Sequence, residues 1–484
     1  MKSITKHKYK DLPLEVKASI WFLICSFMQK GISVITTPIF TRLLTTAEYG
    51  RFSVFNSWMD IIAVFVTLRL YYGVYTQGLV KFEDKRDEFS SSLQGLTLVL
   101  SVVWFGIYMI GRGTWNGLIG LTTLEMGAMF LMMWSTSVFH FWAAEQRVDL
   151  RYRRLVIITI IVSFFKPAVG IVAVQMSTHK VLARVWGLAI VELLGYTWMF
   201  FEQTRKGKKL FDKNIWTYAL KFNIPLISHY LAQVVLNSSD RIMIKELVGT
   251  AKAGIYSLAY SISMLMLLVN TALQQTINPW LYKKIKHKKM QDIHKPIYLC
   301  MVMVAAANLV LILIAPEAIR IFAPASYHEA VNIIPPVAMS AYFIFLYNVF
   351  SAVEFYYEKS KFIAASTVLA AGLNVVLNYV FIKLFGYMAA GYTTLACYIL
   401  YAFMHYLCMN KILRDDGCKP LYNKRVMLII TVLFMVTGFA LMTLYSVPVI
   451  RYVLVAVILA VAVWQRKRLM GLFKDIAAQR KNPA

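Results

Sequence analysis

The stretch Lys17–Arg51, KASIWFLICSFMQKGISVITTPIFTRLLTTAEYGR, decides how the rest of the chain is read. Its apolar run is long enough to cross a bilayer, and Lys30 lies near its middle. At about 1.5 Å per residue, roughly a dozen residues on either side place Lys30 about 15 Å from both surfaces, too deep for its side chain to reach a headgroup layer. A central lysine costs an inserted helix about 2.5–3.5 kcal/mol, so its ammonium faces protein or water. The remaining chain reads as housing for such charges.

The composition agrees. Of 484 residues, 59% are hydrophobic and 15% charged, with a mean hydropathy of +0.59, a balance that excludes a soluble globular domain. Apolar windows run for about 20 residues without period-two alternation, so they are helices and not strands of an outer-membrane barrel. About fourteen such windows can be drawn, which makes the expected fold class all-α, a polytopic membrane protein. Lys and Arg number 51 against 24 Asp and Glu, but they cluster in short segments between spans, which points to membrane orientation and not to a nucleic-acid partner.

These segments carry Lys81, Lys85 and Arg86; Arg147, Arg151, Arg153 and Arg154; Arg205, Lys206, Lys208, Lys209 and Lys213; Lys283, Lys284, Lys286, Lys288 and Lys289; and Arg466, Lys467 and Arg468. The intervening loops are short and poor in basic residues, with Arg112, Arg320 and Arg451 as examples. The asymmetry predicts cytoplasmic N- and C-termini and leaves no room for an external catalytic domain. The first apolar run exceeds a signal-peptide core and lacks a small-residue cleavage site, so it is expected to be retained. The five cysteines show no C-x-x-C pairing, so neither a disulfide framework nor a metal site is expected.

An internal repeat is legible. Thr46 opens TAEYGRFSVFNS and Thr250 opens TAKAGIYSLAYS, each following a helix expected to end in an arginine, Arg42 or Arg241. Six spans fit between the copies, so both enter the membrane in the same sense, as a parallel repeat does. The expected organisation is a lobe of six helices over residues 1–203, a second over 204–421, and a C-terminal helix pair with a basic tail over 422–484.

Charged residues inside the expected spans are Lys30, Asp60, Arg69, Glu125, Lys166, Glu192, Asp240, Arg241 and Glu354. Lys30 and Lys166 fall near mid-depth, Arg69 near the inner end of the second span, and Arg42, Arg51 and Arg241 towards the outer face. This ladder of positive charge suits an anionic head group, a phosphate above all, moving through a wet cavity. Structural alternatives stand beside it: an interfacial ion pair for Asp240 and Arg241, snorkelling for Arg69, and a local role at the Pro167 kink for Lys166. Asp60 and Arg69 are nine residues apart, on opposite faces of one helix, so each needs a partner elsewhere. Asp60, Glu125, Glu192 and Asp240 are candidates for coupling a proton or Na+, or for salt bridges to the buried lysines. Asn374 and Asn378 share a helix face.

No nucleotide-binding loop, G-x-S-x-G or H-E-x-x-H occurs, and His140, His229 and His405 fall on different helices, so no catalytic residue is assigned and no enzyme is expected. No cofactor is called for beyond a counter-ion, H+ or Na+.

The segments KGISVITTPIFTRLLTTAEYGRFSVFNSW and IPLISHYLAQVVLNSSDRIMIKELVGTAKAGIYSLAYS resemble the Wzx-type polysaccharide flippases. These belong to the multidrug/oligosaccharidyl-lipid/polysaccharide exporter superfamily. The resemblance implies two six-helix lobes in a V, as in multidrug and toxic-compound extruders, with two extra C-terminal helices. It implies alternating-access transfer of undecaprenyl-pyrophosphate-linked oligosaccharide across a bacterial inner membrane, with a cationic cavity to which Lys30, Arg42 and Arg241 belong by position. Arg69 and Lys166 join them on depth alone. The implied partners are lipid-linked oligosaccharide, membrane lipids, a polysaccharide polymerase and a chain-length regulator. Two rival readings are a cation or drug antiporter of the same fold, which would want an acidic or aromatic cavity, and a membrane polymerase or ligase acting on the same lipid-linked glycan.

Overall fold

The computed structural model describes residues 14–465; the basic tail with Arg466, Lys467 and Arg468 lies outside the described residues. The chain forms two compact units, Met1–Val234 and Val235–Ala484. The first contains α1 Leu14–Leu43, α2 Thr46–Val66, α3 Gly73–Lys81, α4 Arg86–Ile110, α5 Arg112–Ile119, α6 Thr123–Val148, α7 Tyr152–Met176, α8 Lys180–Gly207 and α9 Lys213–Asn223. The division falls inside α10, Ile227–Leu247. The second unit continues with α11 Thr250–Ser263, α12 Met266–Lys286, α13 His294–Leu313, α14 Ala315–Phe322, α15 Ile334–Tyr356, α16 Ser360–Phe385, α17 Ala389–Asp415, α18 Lys424–Met442 and α19 Pro448–Trp464. Every regular element among the described residues is helical, as expected of a multi-pass all-α membrane protein.

Among the described residues, nine helical stretches are long and apolar enough to span a bilayer, or ten if α5 and α6, bent by 88° at their junction, count as one. The other windows expected to span are helical too, but compositionally weaker. α2 and α10 carry charged residues, α17 is diluted by Thr, Tyr and His, and α19 has only 17 residues.

Both copies of the repeated motif open a helix at the same residue, Thr46 for α2 and Thr250 for α11. The start of α2 is fixed by a capping box: the Thr45 hydroxyl accepts from the Glu48 N–H while Glu48 accepts from the Thr45 N–H. At α11 the preceding residue is Gly249, whose φ of 130° is open only to glycine. In both units the helix after the motif is then interrupted, at Thr67–Tyr72 and at Met264–Leu265.

In the first unit three of the basic segments meet at one end. Arg86 at the head of α4 pairs with Asp149 at 2.8 Å, Arg154 on α7 with Glu202 on α8 at 3.0 Å, and Lys209 bridges Glu88 and Asp212. Two glycines allow the chain to cross closely there. A Cβ on Gly95 would strike the Leu210 carbonyl, and one on Gly207 the Asp87 carbonyl.

In the second unit α15 is the central helix, buried along nearly its whole length. The C-terminal pair α18 and α19 is held to it and to α13 and α14. Tyr342 and Thr431 share a hydrogen bond, and Arg451 makes a bidentate pair with Glu317 at 2.7 and 2.8 Å while donating to the Leu313 carbonyl. Arg451, expected in a loop, is therefore buried, because α19 begins at Pro448 and carries it against α14.

Candidate substrate and ion sites

The first unit disposes its charges in three ways. Lys30, near the middle of α1, is exposed and makes no hydrogen bond or ion pair with another described residue. Arg42, in the last turn of α1, is exposed and donates to the Pro38 carbonyl one turn back at 2.9 Å. Both cationic heads are thus presented outward from α1.

Lys166 and Glu192 instead form an ion pair between α7 and α8, with Thr136 also donating to the carboxylate at 3.1 Å. Glu192 is buried and Lys166 is partly open, so the lysine supplies the charge that the carboxylate needs in a dry interior. Glu125 lies in the first turn of α6 and not at mid-span. There it closes a capping box with Thr122 and accepts a bidentate pair from Arg51 at 2.8 and 3.0 Å. Thr122-x-x-Glu125 is a capping-box signature, and that was the signal in the sequence for this role.

Arg69 follows a third pattern. The helix ends at Val66, and Leu68 and Arg69 both adopt left-handed backbone, with φ of 48° and 45°. The turn is held by local bonds: the Thr67 hydroxyl donates to Ala63 and accepts from the Arg69 N–H, while the Asn223 amide donates to the Leu68 carbonyl at 2.6 Å. Left-handed backbone costs a residue with a side chain about 1–2 kcal/mol. The break also removes the geometry that set Asp60 and Arg69 on opposite faces of one helix. Both now lie within electrostatic reach of Tyr71, whose ring stacks on His140 at 4.6 Å. Asp60 itself is exposed on α2. The Arg69 guanidinium approaches the Tyr230 ring at 6.0 Å, and its Nε is buried without a hydrogen bond.

Sequence reasoning passed over Arg184. On α8 its guanidinium lies 3.7 Å from the ring centre of Phe40 and 3.6 Å from that of Phe52, while Lys180 one turn earlier donates to the Leu43 carbonyl at 2.9 Å. Together they fasten the corner between α1 and α2. The Lys180-x-x-x-Arg184 spacing marks a shared helix face, but nothing in the sequence names the aromatic partners.

The second unit inverts the pattern. Asp240 on α10 has no exposed surface and is surrounded by neutral donors. Tyr256 donates at 2.6 Å, Asn378 at 2.6 Å and Thr394 at 3.1 Å. Arg241 beside it turns away, donating to the Asn237 carbonyl at 2.8 Å and lying over the Tyr260 ring at 4.3 Å. The shell extends through Asn374, which accepts from Ser239 and Asn378, and Thr393, which donates to Asn378. Among the described residues Asn374 Nδ2 is buried without a nitrogen or oxygen partner, and the Cys397 thiol lies against this side chain. A buried carboxylate so lined takes up a proton or a small hard cation to avoid the cost of isolated charge. The surrounding amide, hydroxyl and carboxylate oxygens are the donors a hard cation prefers. Among the described residues no cluster of His, Cys, Asp and Glu is built for a transition metal.

The described residues form an all-helical, multi-pass membrane protein that presents cations in one unit and encloses a carboxylate among neutral donors in the other. Residues 16–285 match the polysaccharide biosynthesis protein family, and the chain belongs to that family. Residues 225–380 also match the MatE family. The chain is similar in structure to the lipid II flippase MurJ in an inward closed conformation, with 14% identity, 93% of this chain and 100% of that one covered, and a TM-score of 0.64. It is also similar to an inward-facing multidrug resistance MATE family transporter of the MOP superfamily, with 13% identity, 80% and 95% covered, and a TM-score of 0.59. An uncharacterized membrane protein of Haemophilus influenzae is 21% identical over 373 residues, 73% of this chain and 87% of the relative. The solved neighbours are a flippase and a transporter, and the chain shares their fold.

Proposed function

We propose that the protein flips undecaprenyl-pyrophosphate-linked oligosaccharide from the cytoplasmic to the outer leaflet of a bacterial inner membrane by alternating access, driven by an ion gradient. The observation that carries this reading is Lys30: an exposed ammonium without a partner among the described residues, near the middle of a 30-residue apolar helix, in a chain of the polysaccharide biosynthesis family. Such a group is tolerated only in a wet space and is suited to an anionic head group that passes through it. Arg42, Arg69, Lys166 and Arg241 supply further cationic contacts on this reading, and each replaces part of the hydration that the pyrophosphate gives up. Asp240 and its oxygen shell hold the coupling ion, H+ or Na+, with Asp60, Glu125 and Glu192 as lesser candidates.

The test is the leaflet distribution of lipid-linked glycan in spheroplasts, read with an impermeant glycan probe. Cells carrying the intact chain expose glycan, and cells carrying Lys30→Ala at equal expression resemble cells without the protein. Equal exposure in all three removes this lipid as the substrate. The MatE match, which includes Asp240, favours one second reading, a cation or drug antiporter. Substrate uptake by everted vesicles separates it from the first.

A further inference from the structure

A second buried ionisable group in the Val235–Ala484 unit is not used by the proposed cycle. Glu354, near the end of α15, and His405, on α17, have no exposed surface, and His405 Nδ1 lies 3.0 and 2.8 Å from the two carboxylate oxygens. The other imidazole nitrogen, Nε2, is buried without a hydrogen bond among the described residues. Aromatic rings enclose the histidine: Tyr401 at 4.6 Å and Tyr347 at 5.8 Å between ring centres, and Phe362 of α16 at 6.0 Å. The Cys408 thiol touches the carboxylate, and Lys411 on α17 and Lys359 at the head of α16 lie within electrostatic reach of that thiol.

With no proton the pair is a carboxylate beside a neutral imidazole, with net charge −1; with one shared proton it is neutral overall; with two it is +1. Among the described residues no fixed cation or anion contacts either partner closely enough to form an ion pair, so the dry packing is compatible with the one-proton state alone. The orphaned Nε2 argues against a purely structural role. In every one-proton arrangement one imidazole nitrogen stays unsatisfied, at about 1–3 kcal/mol, a cost that two packed apolar side chains would avoid.

We propose that Glu354 and His405 form a proton-binding site, separate from Asp240, whose loading is required for α15, α16 and α17 to pack closed. When these helices part and water enters, the pair exchanges its proton with the adjoining solution. When they close, one proton from that water is bound and retained between Nδ1 and the carboxylate. The inference rests on the transporter reading for its place in a cycle, but the site itself is testable without it.

The experiment uses the full chain in lipid nanodiscs and compares the intact protein with Glu354→Gln and with the double variant Glu354→Met/His405→Leu, which replaces the pair by packed apolar groups. Amide hydrogen exchange of α15 and α17 is measured between about pH 6 and 9 and corrected for the intrinsic rate. A single linked proton makes the opening equilibrium rise by up to about tenfold per pH unit once the pair unloads. The intact protein should show that rise, Glu354→Gln should lose it, and the double variant should be protected equally at every pH. The same slope in the double variant, or no slope in the intact chain, overturns the proposal. Glycan exposure is followed in parallel. If the intact chain exposes none, the flippase reading fails while the exchange data still decide the proton site; if exposure by the double variant keeps the intact chain's rate and pH profile, the site has no place in the cycle and the proposal is overturned.

Discussion

The two units treat charge in opposite ways. In the first, the buried carboxylates of Glu125 and Glu192 are matched at close range by Arg51 and Lys166, Glu145 accepts from the Gln203 amide with Lys206 at 3.9 Å, and Lys30 and Arg42 remain exposed. In the second, Asp240 is enclosed by neutral hydroxyl and amide donors, and Glu354 by a histidine. A matched carboxylate is electrostatically finished; one held by neutral donors still has room for a positive charge. On the flippase reading proposed above, that contrast gives most of the anion contacts to the first unit and ion exchange to the second.

The contrast can be broken in order of expected effect. Asp240→Asn should retain the bonds from Tyr256 and Thr394 and so remain folded, yet lower glycan exposure by more than about tenfold. Unchanged exposure would remove the second unit's claim to the coupling ion. Next, Lys166→Met leaves Glu192 buried without its cation and should cost about 3 kcal/mol in thermal unfolding, whereas Lys166→Met/Glu192→Met should stay within about 1 kcal/mol of the intact chain. If the double variant is as damaged as the single one, the pair is more than electrostatic bookkeeping in the first unit.

Arg451→Met should cost about 2 kcal/mol, because Glu317 keeps some access to water. The loss should appear as faster hydrogen exchange in α18 and α19 with little change in the first unit. The smallest effect belongs to Glu329, between α14 and α15, which Lys252 and Tyr387 hold below the usual carboxylate range by hydrogen bonding. A depressed folded value means that the contribution is present above the unfolded value of about 4.3 and is lost as pH falls through the lower folded one. Since Glu329 is half exposed, Lys252→Ala should remove less than about 0.5 kcal/mol, seen as a slightly shallower acid limb of the unfolding midpoint.

Much of this organisation was legible from residues alone. Apolar windows and the clustering of Lys and Arg gave the all-helical membrane class, and the repeated T-A-x-x-G motif marks two places where the fold opens a helix, Thr46 and Thr250, although the helix expected to end at Arg241 runs on to Leu247. What escaped was partner identity. Nothing near Lys166 names Glu192, 26 positions away on the next helix, and nothing near Asp240 names Thr394, because helix packing brings together residues whose sequence separation carries no signal. Arg69 was misplaced for a different reason. A 3.6-residue period assumes that the helix continues, and the turn at Thr67 is made by side-chain bonds from Thr67 and Asn223 that hydropathy does not register.

That turn has a consequence for how the sequence can drift. Leu68 and Arg69 occupy backbone conformations in which glycine would be free of steric cost. A variant library screened only for surviving heat should therefore enrich glycine at both positions, whereas a library screened for glycan export should keep a basic residue at 69 and release only 68. The two screens, run on the same cells, separate what the fold asks of this corner from what the cargo asks of it.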